Sequence, residues 1–228
     1  MNNYYKYLPV SEEDENWGLH VLNAGYSRIN AGELYPPKDH PSHHYFNWEK
    51  GRTFDEYQLI YISRGSGYFE SQHCGLKSIQ EGTIIFLFPG EWHRFKPDIS
   101  TGWDEHWVGF KGQVIENFVS RHFFHPSQPL LITGLHENIV SLLTEIIEET
   151  KMEKPYYQPS VSGAVIHLLG LIYSSNRQLS FRPENFAGMI VNKARLILRN
   201  SVDEAISIEK MAEDFKVSYS WFRKAFKD

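Results

Sequence analysis

The chain has 228 residues, about one and a half domains of ordinary size, and 41% of them are hydrophobic, enough for a buried core. The formal net charge of −5 excludes general attraction of the whole chain to nucleic acid, so any DNA-binding part has to be local. A single cysteine excludes an intramolecular disulfide, and the sequence has neither a signal peptide nor an apolar run near the ~20 residues that span a membrane, so we expect a cytoplasmic protein without membrane contact.

The first part of the chain, residues 1–125, predicts a β-rich domain. Short aromatic and β-branched runs alternate there with glycine and proline turns. The predicted strands are 57–62, 68–70, 83–88 and 107–110, with turns at 64–67 and 89–90. Many short strands at this spacing indicate a barrel or a sandwich.

Helical periodicity replaces the strand pattern further along the chain. Apolar side chains recur at i, i+3 and i+4 over 137–150 and again over 159–175, which predicts two amphipathic helices. The first helix has an apolar stripe that indicates either a homodimer contact or a cover for the β-domain. The stripe residues are Leu142, Leu143, Ile146 and Ile147. We therefore expect a helical dimerisation region over 126–176, followed by a polar linker over 177–185.

The last segment, residues 186–228, predicts short helices, and a tight turn joins the final two, over 206–215 and 218–227. Spacing alone fits two helices of an ordinary bundle as well as a helix-turn-helix. The last helix would begin at Ser218, a good N-cap residue, and would expose hydroxyls and cations suited to base edges and phosphates. These candidate DNA-binding residues are Ser218, Tyr219, Ser220, Arg223, Lys224 and Lys227.

These terminal helices also share a pattern of apolar and hydroxyl residues. It reads Ile208-x-x-Met211-Ala212, then Val217-Ser218-x-Ser220-x-Phe222-x-x-x-Phe226-Lys227. The pattern resembles the first helix-turn-helix of the AraC/XylS transcription regulators. It departs from the family at Lys216, where glycine is common in the turn and a left-handed lysine costs roughly 1 kcal/mol. The resemblance implies a DNA-binding domain of two such units, of which this chain carries the first, so the chain alone should bind DNA weakly.

A second pattern lies at the end of the β-domain and reads Gly82-x6-Pro89-Gly90-Glu91-Trp92-His93. It resembles the second cupin motif. In metal-binding cupins the first motif supplies two histidines and a glutamate, and those places fall here on Arg52, Phe54 and Gln58. None of the three is a usual metal ligand, and a metal needs at least three protein groups. We expect no metal and no other cofactor.

The same positions suit a small polar ligand. Arg52 offers a fork of donors to hydroxyls or a carboxylate, while Gln58 and His93 can donate and accept. Glu105 and Trp107 are two residues apart and so share one strand face, where a carboxylate and an indole could hold a sugar. By resemblance to the arabinose sensor of the family, the sugar contacts fall on Ser27, Arg52, Phe95, Glu105 and Trp107.

The sequence as a whole predicts an α+β protein, in which a cupin-like jelly-roll barrel precedes helices and a partial helix-turn-helix domain. The expected function is a ligand-responsive transcription regulator, not an enzyme, with a monosaccharide such as arabinose or a related sugar as effector and promoter DNA and a second copy as partners. A cupin enzyme acting on a sugar or small acid, and a sensor fragment that acts through dimerisation, are the alternatives. The histidines of 39–44 could hold a metal, but the proline and serine among them favour a surface loop.

Overall fold

The computed structural model describes residues 3–36, 48–179, 190–191, 194 and 207–227, with the backbone alone at 179, 226 and 227. The chain divides into two compact units, residues 1–176 and 177–228. The strands are β1 (Tyr4–Tyr7), β2 (His20–Ile29), β3 (Arg52–Thr53), β4 (Tyr57–Ser71), β5 (Lys77–Gln80), β6 (Thr83–Leu87), β7 (Trp92–Pro97), β8 (Trp103–Lys111) and β9 (Leu130–Ile132). The helices are α1 (Glu12–Asn16), α2 (Gln113–Ser120), α3 (Glu137–Met152), α4 (Tyr157–Leu179), α5 (Ile208–Asp214) and α6 (Tyr219–Lys227).

The first unit is built on antiparallel strands. One half of the sheet has the order β1-β2-β8-β4-β6-β9, and β7 pairs with β3 and β4 while β5 pairs with β4. Side chains that point into the barrel form one apolar cluster. Side chains on the outer face of the barrel form a second cluster with α3 and α4. This arrangement confirms the predicted α+β class and the cupin-like barrel followed by helices.

The strand β4 corrects one sequence-based prediction. The turn expected at 64–67 is absent, because β4 is a single strand of 15 residues. Its register with β8 shifts between Ile62 and Arg64, and Gly65 lies at φ +84°, a conformation that glycine adopts without strain. The glycine therefore bends the strand instead of reversing it. The bend takes β4 from pairing with β6 and β8 to pairing with β5 and β7.

A buried carboxylate ties three strands together on the outer face of the barrel. Asp104 on β8 accepts hydrogen bonds from Arg28 of β2 (2.6 Å) and Arg64 of β4 (2.8 Å). The Tyr26 hydroxyl donates a further bond to the same carboxylate at 3.0 Å. Asp104 is almost wholly buried, so these donors replace the water that a carboxylate otherwise requires.

The two predicted amphipathic helices are confirmed as α3 and α4. Leu143, Ile146 and Ile147 have no exposed surface and pack in the cluster on the outer face of the barrel, while Leu142 is partly buried. The predicted stripe therefore covers the chain's own core. The helix α4 runs to Leu179, into the range expected for the linker, and residues 180–185 lie outside the described residues.

The second unit contains the expected pair of short helices. Lys216, in the turn between α5 and α6, has the left-handed conformation that the sequence predicted, with φ +56°. The Ser218 hydroxyl accepts a hydrogen bond from the Trp221 amide at 3.3 Å, as an N-cap does. Phe222 is buried against Met211 and Ala212, which fixes the two helices to each other. The side chain of Phe226, expected to be buried too, lies outside the described residues.

A buried amide joins α4 to the sheet. Val21 lies beyond Tyr7, the last residue of β1, which pairs with Asn23 of β2. The Gln158 side chain takes the place of the missing strand: it accepts from the Val21 N–H (3.1 Å) and donates to the Val21 carbonyl (2.9 Å). Gln158 is 3% exposed, so the Val21 N–H and carbonyl would have no water to bond to if the Gln158 side chain were removed.

We predict that Gln158→Ala lowers the free energy of unfolding by about 2–4 kcal/mol, because each orphaned buried group costs about 1–3 kcal/mol. Urea unfolding followed by circular dichroism measures the difference. Gln113→Ala, at an exposed glutamine, is the matched control and should change stability little. Equal stability of the two variants would show that Gln158 does not support β2.

Candidate ligand-binding site

A cavity that is partly open to solvent lies between β1, β3, β4, β7 and β8. The centres of water molecules can occupy about 50 Å³ of it, and all the space between its lining atoms, including the part open to solvent, is about 410 Å³. The lining residues are Tyr7, Tyr35, Arg52, Phe54, Gln58, Ile60, Phe95, Glu105 and Trp107. Five of the seven side chains predicted from the sequence as ligand contacts are therefore brought together here.

Arg52 is the cationic group of this cavity. The short strand β3 places it opposite His93 of β7, and its guanidinium carbon lies 4.5 Å from the centre of the Phe54 ring and 4.9 Å from that of Phe95. Burial lowers the pKa of the guanidinium, while the neighbouring Tyr35 and Glu105 act in the opposite direction. The two rings hold the guanidinium plane in place through cation–π attraction, so the donor fork is preorganised.

Glu105 is the acidic group of the cavity. It is 6% exposed, and burial raises the pKa of its carboxyl to about 8, against the opposing effects of Arg52 and of a hydrogen bond from Tyr35. Its Oε2 atom is buried and has no hydrogen-bond partner among the described residues. A buried oxygen of this kind is costly unless a ligand or water supplies the bond.

Trp107 forms an apolar wall beside Glu105. A Cβ atom at Gly25 of β2 would overlap the Trp107 indole, so the absence of a side chain at position 25 leaves the space that the indole occupies. The indole is half-buried and lines the cavity. Glu105 and Trp107 thus present an acceptor and a flat apolar face side by side, as their spacing predicted.

The Gln58 amide lines the cavity and is hydrogen-bonded to Asn23 on the side away from it. Its Nε2 donates to Oδ1 of Asn23 at 3.2 Å, and Asn23 Nδ2 donates to the Glu56 carboxylate at 2.6 Å. Gln58 and Asn23 are buried, at 8% and 4% exposure. Burial raises the pKa of Glu56, and the hydrogen bond from Asn23 works against that shift.

Two predicted contacts lie outside the lining. His93 is buried behind the rings, 5.0 Å from Phe54 and 6.1 Å from Phe95 between ring centres, with Nδ1 3.1 Å from the Glu91 carbonyl oxygen. Burial, and then the charge of Arg52, lower the pKa of His93 to about 4, so it is neutral at physiological pH. Ser27 pairs with Glu105 across the strands and does not line the cavity either.

Four lining residues were missed from the sequence. Tyr7 comes from β1 and Tyr35 from the segment after β2, and a local sequence pattern does not show that either segment lies beside Arg52 and Glu105. Ile60 lies two residues after Gln58 on β4, and Phe54 lies two residues after Arg52, just beyond the end of β3, so the two-residue spacing could have placed both. Among the described residues no group of three or more His, Cys, Asp or Glu side chains is placed to hold a metal ion, and the histidines of 39–44 lie outside that set.

The last helix presents most of its predicted polar residues to solvent. Tyr219 is 41% exposed, and the Arg223 guanidinium carbon lies 5.8 Å from the centre of its ring. The hydroxyls of Ser218 and Ser220 are 3.3 Å apart, and Lys224 is also exposed. The side chain of the sixth predicted residue, Lys227, lies outside the described residues.

Comparison with known families identifies the first unit. Residues 26–169 match the family described as the AraC-like ligand binding domain. The chain belongs to this family. The match runs from the end of β2 into α4 and contains every cavity residue except Tyr7. The AraC-like domain therefore covers most of the barrel and its covering helices. No curated protein matches the sequence significantly.

Several solved structures are similar to parts or most of this chain at low identity and low TM-score. YhaK from Escherichia coli is 10% identical over 48% of this chain and 44% of YhaK, with a TM-score of 0.34. Bacillus subtilis oxalate decarboxylase is 16% identical over 51% of this chain and 27% of that chain, with a TM-score of 0.32. ToxT from Vibrio cholerae O395 is 13% identical over 92% of this chain and 94% of ToxT, with a TM-score of 0.38. The chain spans less than half the length of the first two.

Within the described part of the chain, no helix combines the length and the apolar character that crossing a bilayer requires.

We predict that Glu105 makes folding stability fall with rising pH. Its pKa is about 8 in the folded chain and near the ordinary 4.5 when unfolded, so the folded state binds the proton more tightly. The stabilisation that this tighter proton binding gives the folded state is complete below about pH 4.5 and is lost as the pH rises through about 8. In urea unfolding, Glu105→Gln should match the wild type at about pH 5 and exceed it at about pH 9 by at least about 1.4 kcal/mol, the equivalent of one pKa unit.

Glu116→Gln is the control for this measurement, because Glu116 is exposed on α2. Its stability should follow the wild type at both pH values. If Glu105→Gln also follows the wild type across the range, the cavity carboxyl does not titrate as its burial requires.

Proposed function

We propose that the chain is a ligand-responsive transcription regulator whose barrel cavity binds a monosaccharide such as arabinose or a closely related polyol. The observation that carries this proposal is the convergence of half-buried Arg52 and buried Glu105 on one cavity beside the Trp107 indole. Membership of the AraC-like ligand-binding family supports the sensing role. A single cysteine supports a location in a reducing compartment such as the cytoplasm.

Each of the three groups matches one feature of a sugar. The Arg52 fork, packed against two rings, donates to hydroxyl or ring oxygens. The Glu105 carboxyl lacks a partner at Oε2 among the described residues, and because its pKa is about 8 it is protonated at neutral pH and can both donate to and accept from sugar hydroxyls. Trp107 packs its face against the apolar C–H side of the ring. A sugar has hydroxyls around its edge and an apolar C–H face, which match the polar groups of Arg52 and Glu105 and the apolar face of Trp107.

We predict that Arg52→Ala weakens monosaccharide binding by about 1.5–3 kcal/mol, the range for a hydrogen bond to a charged group. Isothermal calorimetry with arabinose and a panel of other monosaccharides measures the affinity. Arg121→Ala removes an exposed arginine outside the cavity and should leave the affinity unchanged. Equal affinities for wild type and Arg52→Ala would remove Arg52 from the site, and a wild type that binds no monosaccharide would refute the sugar proposal.

We further propose that the second unit contacts promoter DNA through α6, as the first helix-turn-helix of an AraC-type DNA-binding domain over 186–228. In support of this, α5 and α6 are fixed to each other by buried Phe222, which leaves Tyr219, Arg223 and Lys224 exposed on one helix. The N-terminal residues of a recognition helix enter the major groove first, and cations beside them meet phosphates. A single helix with few cations makes few phosphate contacts, so binding is weak and depends on salt.

We predict that this chain binds DNA weakly at low salt and that Arg223→Ala weakens the binding further and lowers its salt dependence. Fluorescence anisotropy over a series of salt concentrations measures both quantities. Lys151→Ala, at a lysine paired with Glu148 in the first unit, is the control and should have no effect. An unchanged affinity of Arg223→Ala would show that α6 does not face the DNA.

Homodimer formation stays a proposal. Leu143, Ile146 and Ile147 are enclosed within the first unit, which favours the interpretation that the stripe covers the barrel. An interface on α3 would therefore rely on Leu142 and on the polar face of that helix.

A further inference from the structure

A chain of hydrogen bonds leads from the surface of the barrel to the cavity. It runs from the Glu56 carboxylate through the Asn23 amide to the Gln58 amide, with donor–acceptor distances of 2.6 and 3.2 Å. Gln58 lines the cavity, whereas Asn23 and Glu56 do not. The two outer members therefore touch the ligand only through Gln58.

The strand register explains how two amides on separate strands meet. Gly109 of β8 pairs with Asn23 of β2 on one side and with Gln58 of β4 on the other. A Cβ atom at Gly109 would overlap the end of the Asn23 side chain, so the missing side chain opens a passage across the strand. A bulge between Val21 and Asn23 shifts the register of β2 just before this point.

The direction of every bond in this chain follows from its first member. An ionised carboxylate can accept hydrogen bonds but cannot donate them. Asn23 therefore turns its Nδ2 group to Glu56, which leaves its Oδ1 atom to accept from Gln58. Gln58 in turn gives an N–H to Asn23, so its carbonyl oxygen Oε1 is the acceptor that remains for the cavity.

We propose that Glu56 is a positioning residue that fixes the Gln58 amide through Asn23, so that the cavity presents the Gln58 carbonyl oxygen as an acceptor beside the Glu105 carboxyl. The site then selects a ligand with one hydroxyl that donates to Gln58 and a second that bonds to Glu105, in addition to an oxygen that accepts from Arg52. This inference rests on the proposed function and specifies its ligand as a polyhydroxylated molecule rather than one with a single polar group.

Glu56→Gln tests the proposal, because a glutamine at this position can donate as well as accept and no longer dictates the order of the bonds. The first readout needs no ligand: the side-chain amide signals of Asn23 and Gln58 in ¹⁵N NMR spectra, recorded in mildly alkaline buffer. We expect one set of signals in the wild type, and shifted or doubled signals in Glu56→Gln. Asp55→Asn removes the same charge from the neighbouring exposed residue, which pairs with Lys111, and should leave both amides unchanged.

The second readout is calorimetric titration with arabinose and with its monodeoxy analogues. Glu56→Gln should bind arabinose roughly tenfold more weakly, the equivalent of about 1.4 kcal/mol, while Asp55→Asn binds as the wild type does. Loss of the hydroxyl that meets Gln58 should weaken binding to the wild type and matter less in Glu56→Gln. Gly109→Ala, which displaces the Asn23 amide and keeps the Glu56 charge, should behave like Glu56→Gln.

The outcomes separate this inference from the proposed function. Unchanged amide signals in Glu56→Gln would overturn the inference, whether or not a sugar binds. Shifted signals together with unchanged arabinose affinity would also overturn it, since the amide order would then not matter for the ligand. If the wild type binds none of the sugars, the sugar proposal fails, and the amide signals alone decide whether Glu56 orders Asn23 and Gln58.

Discussion

The continuous pairing of β4 is the constraint on which the first unit depends. A single strand of 15 residues makes backbone hydrogen bonds with β5, β6, β7 and β8, so both halves of the barrel share it. The bend at Gly65 allows this without interrupting the chain. The first part of β4 and its hydrogen-bonded neighbour β8 form one wall of the cavity, and β3 and β7 form the opposite wall. The positions of Arg52, Gln58 and Glu105 relative to one another follow from this shared strand.

Burying an arginine and a glutamate in one small cavity is unfavourable for each of them alone. Burial lowers the pKa of Arg52 and raises that of Glu105, and each group partly offsets the effect on the other. The two aromatic rings packed against the Arg52 guanidinium and the Tyr35 hydroxyl bonded to Glu105 add further compensation. A polar ligand would complete it, because the Oε2 atom of Glu105 lacks a hydrogen-bond partner among the described residues. Poor solvation of these two groups is thus a source of affinity for the ligand that fits them.

Sequence patterns anticipated much of this arrangement, and the failures have physical causes. Strand parity placed Glu105 and Trp107 on one face, and periodicity predicted α3 and α4, because both signals are local. The glycines of 64–67 predicted a turn. Glycine allows the chain either to reverse or to bend, and which of the two occurs depends on the strands that pair on either side of it. Tyr7 and Asn23 reach the site through pairings with distant strands, which a local pattern does not encode. Ser27, predicted by resemblance to the sugar sensor, and His93, predicted from its ability to donate and accept, both lie outside the cavity lining, because neither argument fixes how far a side chain lies from the cavity.

The two hydrogen bonds between Gln158 and Val21 make hydrogen exchange at the Val21 amide a measure of whether α4 is packed on the barrel. The Val21 N–H is bonded to a side chain of α4 and not to a neighbouring strand, so it exchanges its hydrogen with solvent when that helix lifts from the barrel. Neighbouring amides of β2 that bond to β8 are protected by the sheet itself and do not sense the helix. Comparing deuterium uptake at Val21 with uptake at those neighbours therefore separates undocking of α4 from opening of the barrel, two motions that a single unfolding curve merges into one.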